Sequence, residues 1–424
     1  MNKNGVPRSK LSRGSKVGFT ALRVGASEAK LRIKNKLGAS NEAADHQTRE
    51  SQAKKIFKTL AELRGSALKA AQMLAQEVDL LPEAYQKELG KAWHQAPSLN
   101  RAVVRKVFMT QLGKPPEDCF DRFEPTAFAA ASLGQVHDAV YQGQDWAVKI
   151  QYPGIGETIT SDIQLLGTLF KTLRLGVKLQ DMLEEVQDRF LEETDYIKEM
   201  AEMRYFKSQL KESLVQIAEP LEEFSTAKIL VTQKIKGLHL EDWLGTNPSQ
   251  DQRNHMGQLL IDLWEYGVLH LERLHADSNP GNYLFLPDGR LGLLDFGCIK
   301  KYEAGFAEKY KNFFRALLTE NVDEILEALG TFGIVHEQTP EAKRDLLAMS
   351  KWYIRPYQLE TFDLKAHQGY IKEGSQCLAA MQEHCTKHSK DFIFTDRTWL
   401  GVYRMLERMG AEVKLTVGRR LLWE

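Results

Sequence analysis

The sequence predicts an α+β fold in which a strand-bearing segment is set between two long helical ones. Three observations carry that prediction. Apolar residues recur at steps of three and four between Lys54 and Leu81, period-two alternation is concentrated in the middle of the chain, and helical periodicity dominates again from Gln250 onward.

The first 27 residues carry Lys3, Arg8, Lys10, Arg13, Lys16 and Arg23, with no Asp or Glu before Glu28. Transit peptides share that pattern with basic arms that touch anionic surfaces. Residues 1–50 therefore read as a basic, partly disordered leader. It lacks the apolar core of a secretory signal, and nowhere does the chain reach the ~18 consecutive apolar residues of a spanning helix.

Residues 51–115 read as an N-terminal helical extension. Ile56, Leu60, Leu63, Ala67, Ala71 and Leu74 mark one apolar face, and Pro82 starts the next segment. Within residues 116–245, Gln135–Val140 and Asp145–Gln151 read as strands around a turn at Gln142-Gly143, and Ile229–Gln233 as a further strand.

Residues 246–424 begin with helical periodicity from Gln250 to Leu274, through Met256, Leu259, Leu260, Leu263, Val268 and Leu271. Tyr283–Leu286 and Arg290–Leu294 read as strands around the turn Pro287-Asp-Gly289. After Tyr302 the chain reads almost wholly helical, with breaks near Pro340, Pro356 and Phe394. Gln368–His388 reads as one helix, so Cys377, His384, Cys385 and His388 are not taken as a zinc site; no C-x-x-C pair accompanies them.

Composition is ordinary for a folded globular chain, with 43% hydrophobic and 27% charged residues. A formal net charge of zero gives no global field for nucleic acid. Four dispersed cysteines in 424 residues argue against a disulfide framework and suit a reducing compartment.

In His275-Ala-Asp277-Ser-Asn-Pro-Gly-Asn282 and Leu293-Leu-Asp295-Phe-Gly297, Asn282 follows Asp277 by five positions and Asp295 follows it by eighteen. Phosphoryl transfer from ATP needs a carboxylate near the acceptor oxygen, together with an amide and a second carboxylate to hold magnesium against the phosphates. A lone loop Asp is more often a turn or a helix cap. Here both motifs fall in one loop–strand–turn–strand series, which points to a kinase-like site with Asp277 catalytic and Asn282 and Asp295 on the metal.

Trp146-Ala-Val-Lys149 ends a short alternating strand in a cation suited to the α- and β-phosphates. Upstream lies Ala129-Ala130-Ala131-Ser132-Leu-Gly134-Gln-Val136, in which Gly134 and Val136 match a glycine-rich phosphate loop while Ala129 and Ala131 replace its first two glycines. Alanine avoids positive φ, so a stiffer loop with altered nucleotide preference is expected. A phosphate lysine needs a helical carboxylate partner, and Glu193, Asp195 and Glu199 are all candidates; charge pattern alone does not choose among them.

Together these residues resemble the UbiB/AarF family of atypical kinase-like proteins, associated with ubiquinone and isoprenoid-lipid metabolism, over most of the chain. The family's alanine-rich loop looks like Ala129–Ser132, its nucleotide lysine like Lys149, its E-x-D motif like Glu193-Thr-Asp195 and its helix glutamate like Glu199. Its catalytic and metal residues look like Asp277, Asn282 and Asp295. Its K-x-G-Q motif looks like Lys69-Ala-Ala71-Gln72, with Ala71 in place of glycine, and Ser278-Asn279 stands where bacterial members carry a bulkier residue and His.

The resemblance implies an atypical protein-kinase-like bilobal fold, with an N-terminal helical extension over the active site and a helical C-terminal lobe. Residues 116–245 would then be the N-lobe with its helical insert, and 246–424 the C-lobe. Expected cofactors are ATP or ADP with Mg2+. The expected activity is that of an atypical kinase or ATPase; the alternatives are a catalytically silent scaffold and a small-molecule phosphotransferase. Lys69 and Gln72 in the peptide groove would make protein phosphorylation poor. Expected partners are nucleotide, an anionic membrane surface, an isoprenoid-lipid precursor and lipid-biosynthetic enzymes, without nucleic acid. The expected location is cytoplasmic and peripheral to the inner membrane, with mitochondrial import as the alternative.

Overall fold

A computed structural model describes residues 18–27, 30, 42–63, 99–131, 133–171, 183, 186–187 and 190–415. The chain divides into two compact units, Met1–Met200 with Pro220–Lys234, and Ala201–Glu219 with Ile235–Glu424.

In the first unit, residues 18–27 are helical and lie against α1 (Glu42–Leu63). Thr20 and Thr59 share a hydroxyl hydrogen bond of 2.8 Å, and Gln52 donates to the Ser27 hydroxyl. Ala53, Ile56 and Leu60 are buried, which is the apolar face expected from the periodicity. The helix starts well before Lys54; the rest of the expected 54–81 helix, from residue 64, lies outside the described residues.

Asn100 caps α2 (Arg101–Leu112) by accepting the Val103 N–H, and Gly113, at φ 72°, ends it. A sheet follows: β1 (Arg122–Phe123), β2 (Ala129–Ala130), β3 (Gly134–Tyr141), β4 (Gln144–Gln151) and, after β5 (Val215–Ile217) of the second unit, β6 (Ile229–Gln233). Its order is β1-β3-β4-β6, with β2 paired to β3. The β3–β4 hairpin turns at Gln142 and Gly143, both with positive φ, so two-residue turn chemistry is met at the expected place. Val104 and Phe108 of α2 pack into a core with Phe120, Trp146, Val148, Ile150, Ile229 and Val231. α3 (Ile155–Lys171) leaves the sheet, and α4 (Tyr196–Gln209) begins in this unit and ends in the second.

The second unit opens its main run with α5 (Leu240–Gly245) and α6 (Gln250–Tyr266), the latter started by a capping box of Ser249 and Gln252. The expected helix to Leu274 is shorter than the periodicity suggests. It ends in a π-turn over Gly267–Leu271, closed by Glu272 at φ 48°, and Leu274 lies on β7 (Arg273–His275). Gly267 is where the chain folds back, since a Cβ there would stand 2.9 Å from the Arg273 carbonyl oxygen.

β8 (Tyr283–Phe285) pairs antiparallel with β9 (Leu291–Leu293), and β5 adds to β9 in parallel. β10 (Ile299–Lys301) pairs with β7 in the register His275↔Ile299, Leu274↔Lys300, Arg273↔Lys301.

Beyond Tyr302 come α7 (Phe306–Thr319), α8 (Val322–Thr331), β11 (Val335–His336), α9 (Pro340–Gln358), β12 (Phe362–Asp363), α10 (Tyr370–Glu383), β13 (Cys385–Lys387), α11 (Lys390–Met409) and β14 (Glu412–Val413). This stretch is not wholly helical, because β11–β13 and β12–β14 form two small antiparallel pairs. The segment expected as a single helix to His388 ends at Glu383 and continues as β13.

Pro340 does mark a break, as the first residue of α9 behind the Thr339 cap. Pro356 lies inside the last turn of α9, and the expected break falls just after it, past Gln358. The Trp352 carbonyl, which a residue-356 N–H would normally serve, accepts the Tyr370 hydroxyl instead, at 3.2 Å. Phe394 does not break a helix: Ser389 caps α11, whose interior includes Phe394.

Candidate active site

In the first unit, Lys149 sits on β4 between Val136 of β3 and Leu230 of β6. Trp146, Val148 and Ile150 are buried in the core, so strand alternation turns Lys149 to the other face. Its Nζ donates to both carboxylate oxygens of Glu199, at 2.9 and 3.0 Å, and lies 5.0 Å from the Tyr196 ring centre. The two side chains are 13% and 2% exposed, so their pairing offsets part of the cost of taking both charges out of water.

Of the three candidate carboxylates, Glu199 is thus the one bonded to Lys149. Asp195 accepts the Ile197 N–H at the start of α4, and Glu193 is buried in the turn before it. That turn is tied to the sheet by groups that the sequence pattern does not flag. Gln151 donates to the Thr194 carbonyl at 3.0 Å, and Lys228 reaches both the Gln151 amide oxygen (2.6 Å) and the Thr194 carbonyl (3.3 Å).

Ala129 and Ala130 form β2 opposite Val136 and Gln135, and the Ala131 N–H closes on the Gly134 carbonyl at 3.0 Å. None of these alanines has a positive φ. Gly134 is required here, because a Cβ would stand 2.3 Å from the Ile150 carbonyl oxygen of the neighbouring strand. Ser132, Lys69 and Gln72 lie outside the described residues.

In the second unit, the two acidic motifs are laced together. The Leu294 N–H donates to the Asn282 carbonyl at 3.0 Å, and the Asn282 side-chain amide donates to the Asp277 carbonyl at 3.3 Å. Asp277 accepts the Asn279 N–H, Asn279 accepts the Gly281 N–H, and Asp295 accepts the Gly297 N–H at 2.8 Å. Local side-chain-to-backbone bonds of this kind hold a loop without a regular ladder.

His275 Nε2 donates to the Asp295 carbonyl oxygen, which can only accept, and so sets the tautomer. Burial holds the His275 pKa below the usual imidazole range, so the ring is neutral near pH 7. Phe296 packs against His275 at 5.7 Å and against Phe206 at 5.6 Å between ring centres.

Residues far along the chain support this loop and carry no motif of their own. A Cβ on Gly401 of α11 would fall 1.8 Å from the Ser278 Oγ, so that glycine makes room for the loop residue next to Asp277. One turn earlier, Thr398 lies beside the Ala276 carbonyl at 3.5 Å.

Asn282 and Asp295 offer the hard oxygen donors that magnesium prefers. Among the described residues no three His, Cys, Asp or Glu side chains converge into a metal cluster. A magnesium–nucleotide site does not require one, because that ion takes few protein ligands and completes its shell with phosphate oxygens and water.

The profile of the ABC1 atypical kinase-like domain matches residues 91–329. The rat protein named atypical kinase COQ8B, mitochondrial, is 32% identical over 332 residues, covering 76% of this chain and 62% of its own length. A Dictyostelium discoideum protein named probable serine/threonine-protein kinase abkA is 25% identical over 395 residues, covering 87% of this chain and 70% of its own. This chain therefore spans less than two thirds of the rat relative. The solved Rv3197–erythromycin complex from Mycobacterium tuberculosis is similar in structure, with a TM-score of 0.62 at 26% identity over 90% of this chain and 98% of that one. The α+β fold is kinase-like, and the chain belongs to the ABC1, or UbiB/AarF, family of atypical kinase-like proteins.

Proposed function

We propose that the protein binds ATP or ADP with magnesium and acts as an atypical kinase or ATPase supporting ubiquinone or related isoprenoid-lipid metabolism. The observation that supports this reading is the backbone bond from the Leu294 N–H to the Asn282 carbonyl, which ties the strand leading into the Asp295 motif to the Asp277–Asn282 loop. Asn282 and Asp295 would hold the magnesium, which when bound neutralises charge on the phosphates.

Lys149, oriented by Glu199, binds phosphate oxygens; Ala129, Ala130, Ala131 and Ser132 line the nucleotide loop; and Glu193, Asp195, Lys69 and Gln72 complete the nucleotide side. Asp277 orients the acceptor hydroxyl and takes its proton. His275, neutral and bonded to the Asp295 backbone, keeps that loop in place without adding a charge. The acceptor is water or a small lipid-like molecule, with an isoprenoid-lipid precursor and lipid-biosynthetic enzymes as partners.

The six cations of residues 1–27 bring the protein to an anionic membrane surface, each contributing ~1 kcal/mol where it reaches the surface. Among the described residues no helix is long and apolar enough to cross a membrane. A peripheral place at the bacterial inner membrane suits this reading; the mitochondrial name of the rat relative favours import instead.

The test is magnesium-dependent nucleotide binding and ATP hydrolysis by the wild type and Asp295→Asn, with and without anionic liposomes carrying a phenolic quinone precursor. Hydrolysis that rises with lipid and is lost in the variant is expected. Tight nucleotide binding without turnover in every condition would replace this reading with that of a scaffold.

A further inference from the structure

Arg273 and Lys301 are direct partners across the β7–β10 pair. Like charges facing each other across two strands push them apart. Here a carboxylate lies between them: Glu202, on α4, bonds Arg273 at 3.2 Å and Lys301 at 2.6 Å. Its side chain is 12% exposed, against 31% for Arg273 and 57% for Lys301, so the anion is the inner member of the trio.

The Arg273 guanidinium also lies 4.0 Å from the ring centre of Tyr205, one turn further along α4, and Phe206 contacts Phe296 beside Asp295. Both acidic motifs run between these two strands: β7 leads into Asp277, and β10 follows Asp295 within a few residues.

We propose that Glu202 is a positioning residue whose carboxylate, clasped by Arg273 and Lys301, sets the β7–β10 pair and with it the loops of Asp277 and Asp295. The anion comes from the chain itself, so the clasp needs no phosphorylated residue to satisfy its cations. Its consequence for turnover rests on the function proposed above; the clasp does not.

The experiment compares wild type, Glu202→Gln and Glu202→Gln/Lys301→Gln by hydrogen–deuterium exchange of peptides covering residues 273–282 and 293–301, with ATP turnover and nucleotide KM measured in parallel. Removing the carboxylate alone leaves two facing cations. Exchange in both peptides is then expected to rise about fivefold and turnover to fall by a similar factor, with KM unchanged. Removing the Lys301 charge as well is expected to restore both, which a purely structural role for Glu202 would not produce.

Unchanged exchange in Glu202→Gln, or further loss in the double variant, would overturn the proposal. Should wild type show no turnover, the exchange data still decide the clasp, and the phosphoryl-transfer reading falls on its own.

Discussion

Lys149 and Glu199 are bonded to each other and both are shielded from water. Glu199→Ala is expected to destabilise the protein by ~3–5 kcal/mol in denaturant unfolding, since it removes a bonded carboxylate from a lysine shielded from water. Lys149→Met/Glu199→Leu is expected to cost clearly less than the two single changes summed, while still weakening nucleotide binding. At the Asp277 loop, on the function proposed above, Gly401→Ala is expected to cut ATP turnover about tenfold or more, because Ser278 must move and carry Asp277 with it. Ser278→Gly in the same chain is expected to restore most of it, which steady-state kinetics would read. Lys149, Asp277, Asn282 and Asp295 were legible as candidates because the chemistry proposed for them is tied to short spacings. Gly401 and Glu202 were not, since each acts through a neighbour that only folding brings close.

Strands β3, β4, β6, β8 and β9 sit within a residue or two of their expected bounds, because alternation and turn residues are local signals. Where a distant group replaces a local bond, an element runs past its local signal. Proline at 356 signals a break, yet Tyr370 supplies a donor to the orphaned Trp352 carbonyl and Trp352 Nε1 returns a bond to the Tyr370 carbonyl at 2.9 Å. Tyr370→Phe is expected to lower unfolding free energy by ~1–3 kcal/mol by leaving that buried carbonyl without a partner. A fall in thermal midpoint, with fraying of the end of α9 by amide exchange, would be the signature. The converse holds at α6, where helical periodicity persists past Tyr266 although the chain has turned away into a strand.

Across the whole second unit, the helical region encloses a buried polar chain in which Tyr310 bonds Tyr353 at 2.5 Å and Tyr353 donates to Asp396 at 3.2 Å. Burial pushes the Asp396 carboxyl up to about 8, so it keeps its proton near neutrality. The unfolded chain loses that proton near pH 4, and between there and about pH 8 the native state binds one proton more. This group's contribution is therefore full at acid pH and falls by ~1.4 kcal/mol per pH unit as pH rises through that window. Asp396→Asn is expected to flatten the slope and raise stability at pH 7, which unfolding at a series of pH values would reveal; an unchanged slope would contradict the burial argument.

By itself the sequence determined the α+β class, the helix-rich ends around a strand-bearing middle and the identities of the candidate phosphate and metal groups, because periodicity, turn chemistry and motif spacing act over a few residues. Only the tertiary structure decided which carboxylate meets Lys149, which tautomer His275 holds, why position 401 is glycine and what neutralises the facing cations of β7 and β10. Those outcomes depend on burial and on distances between atoms remote in sequence, and no local pattern of residues encodes either.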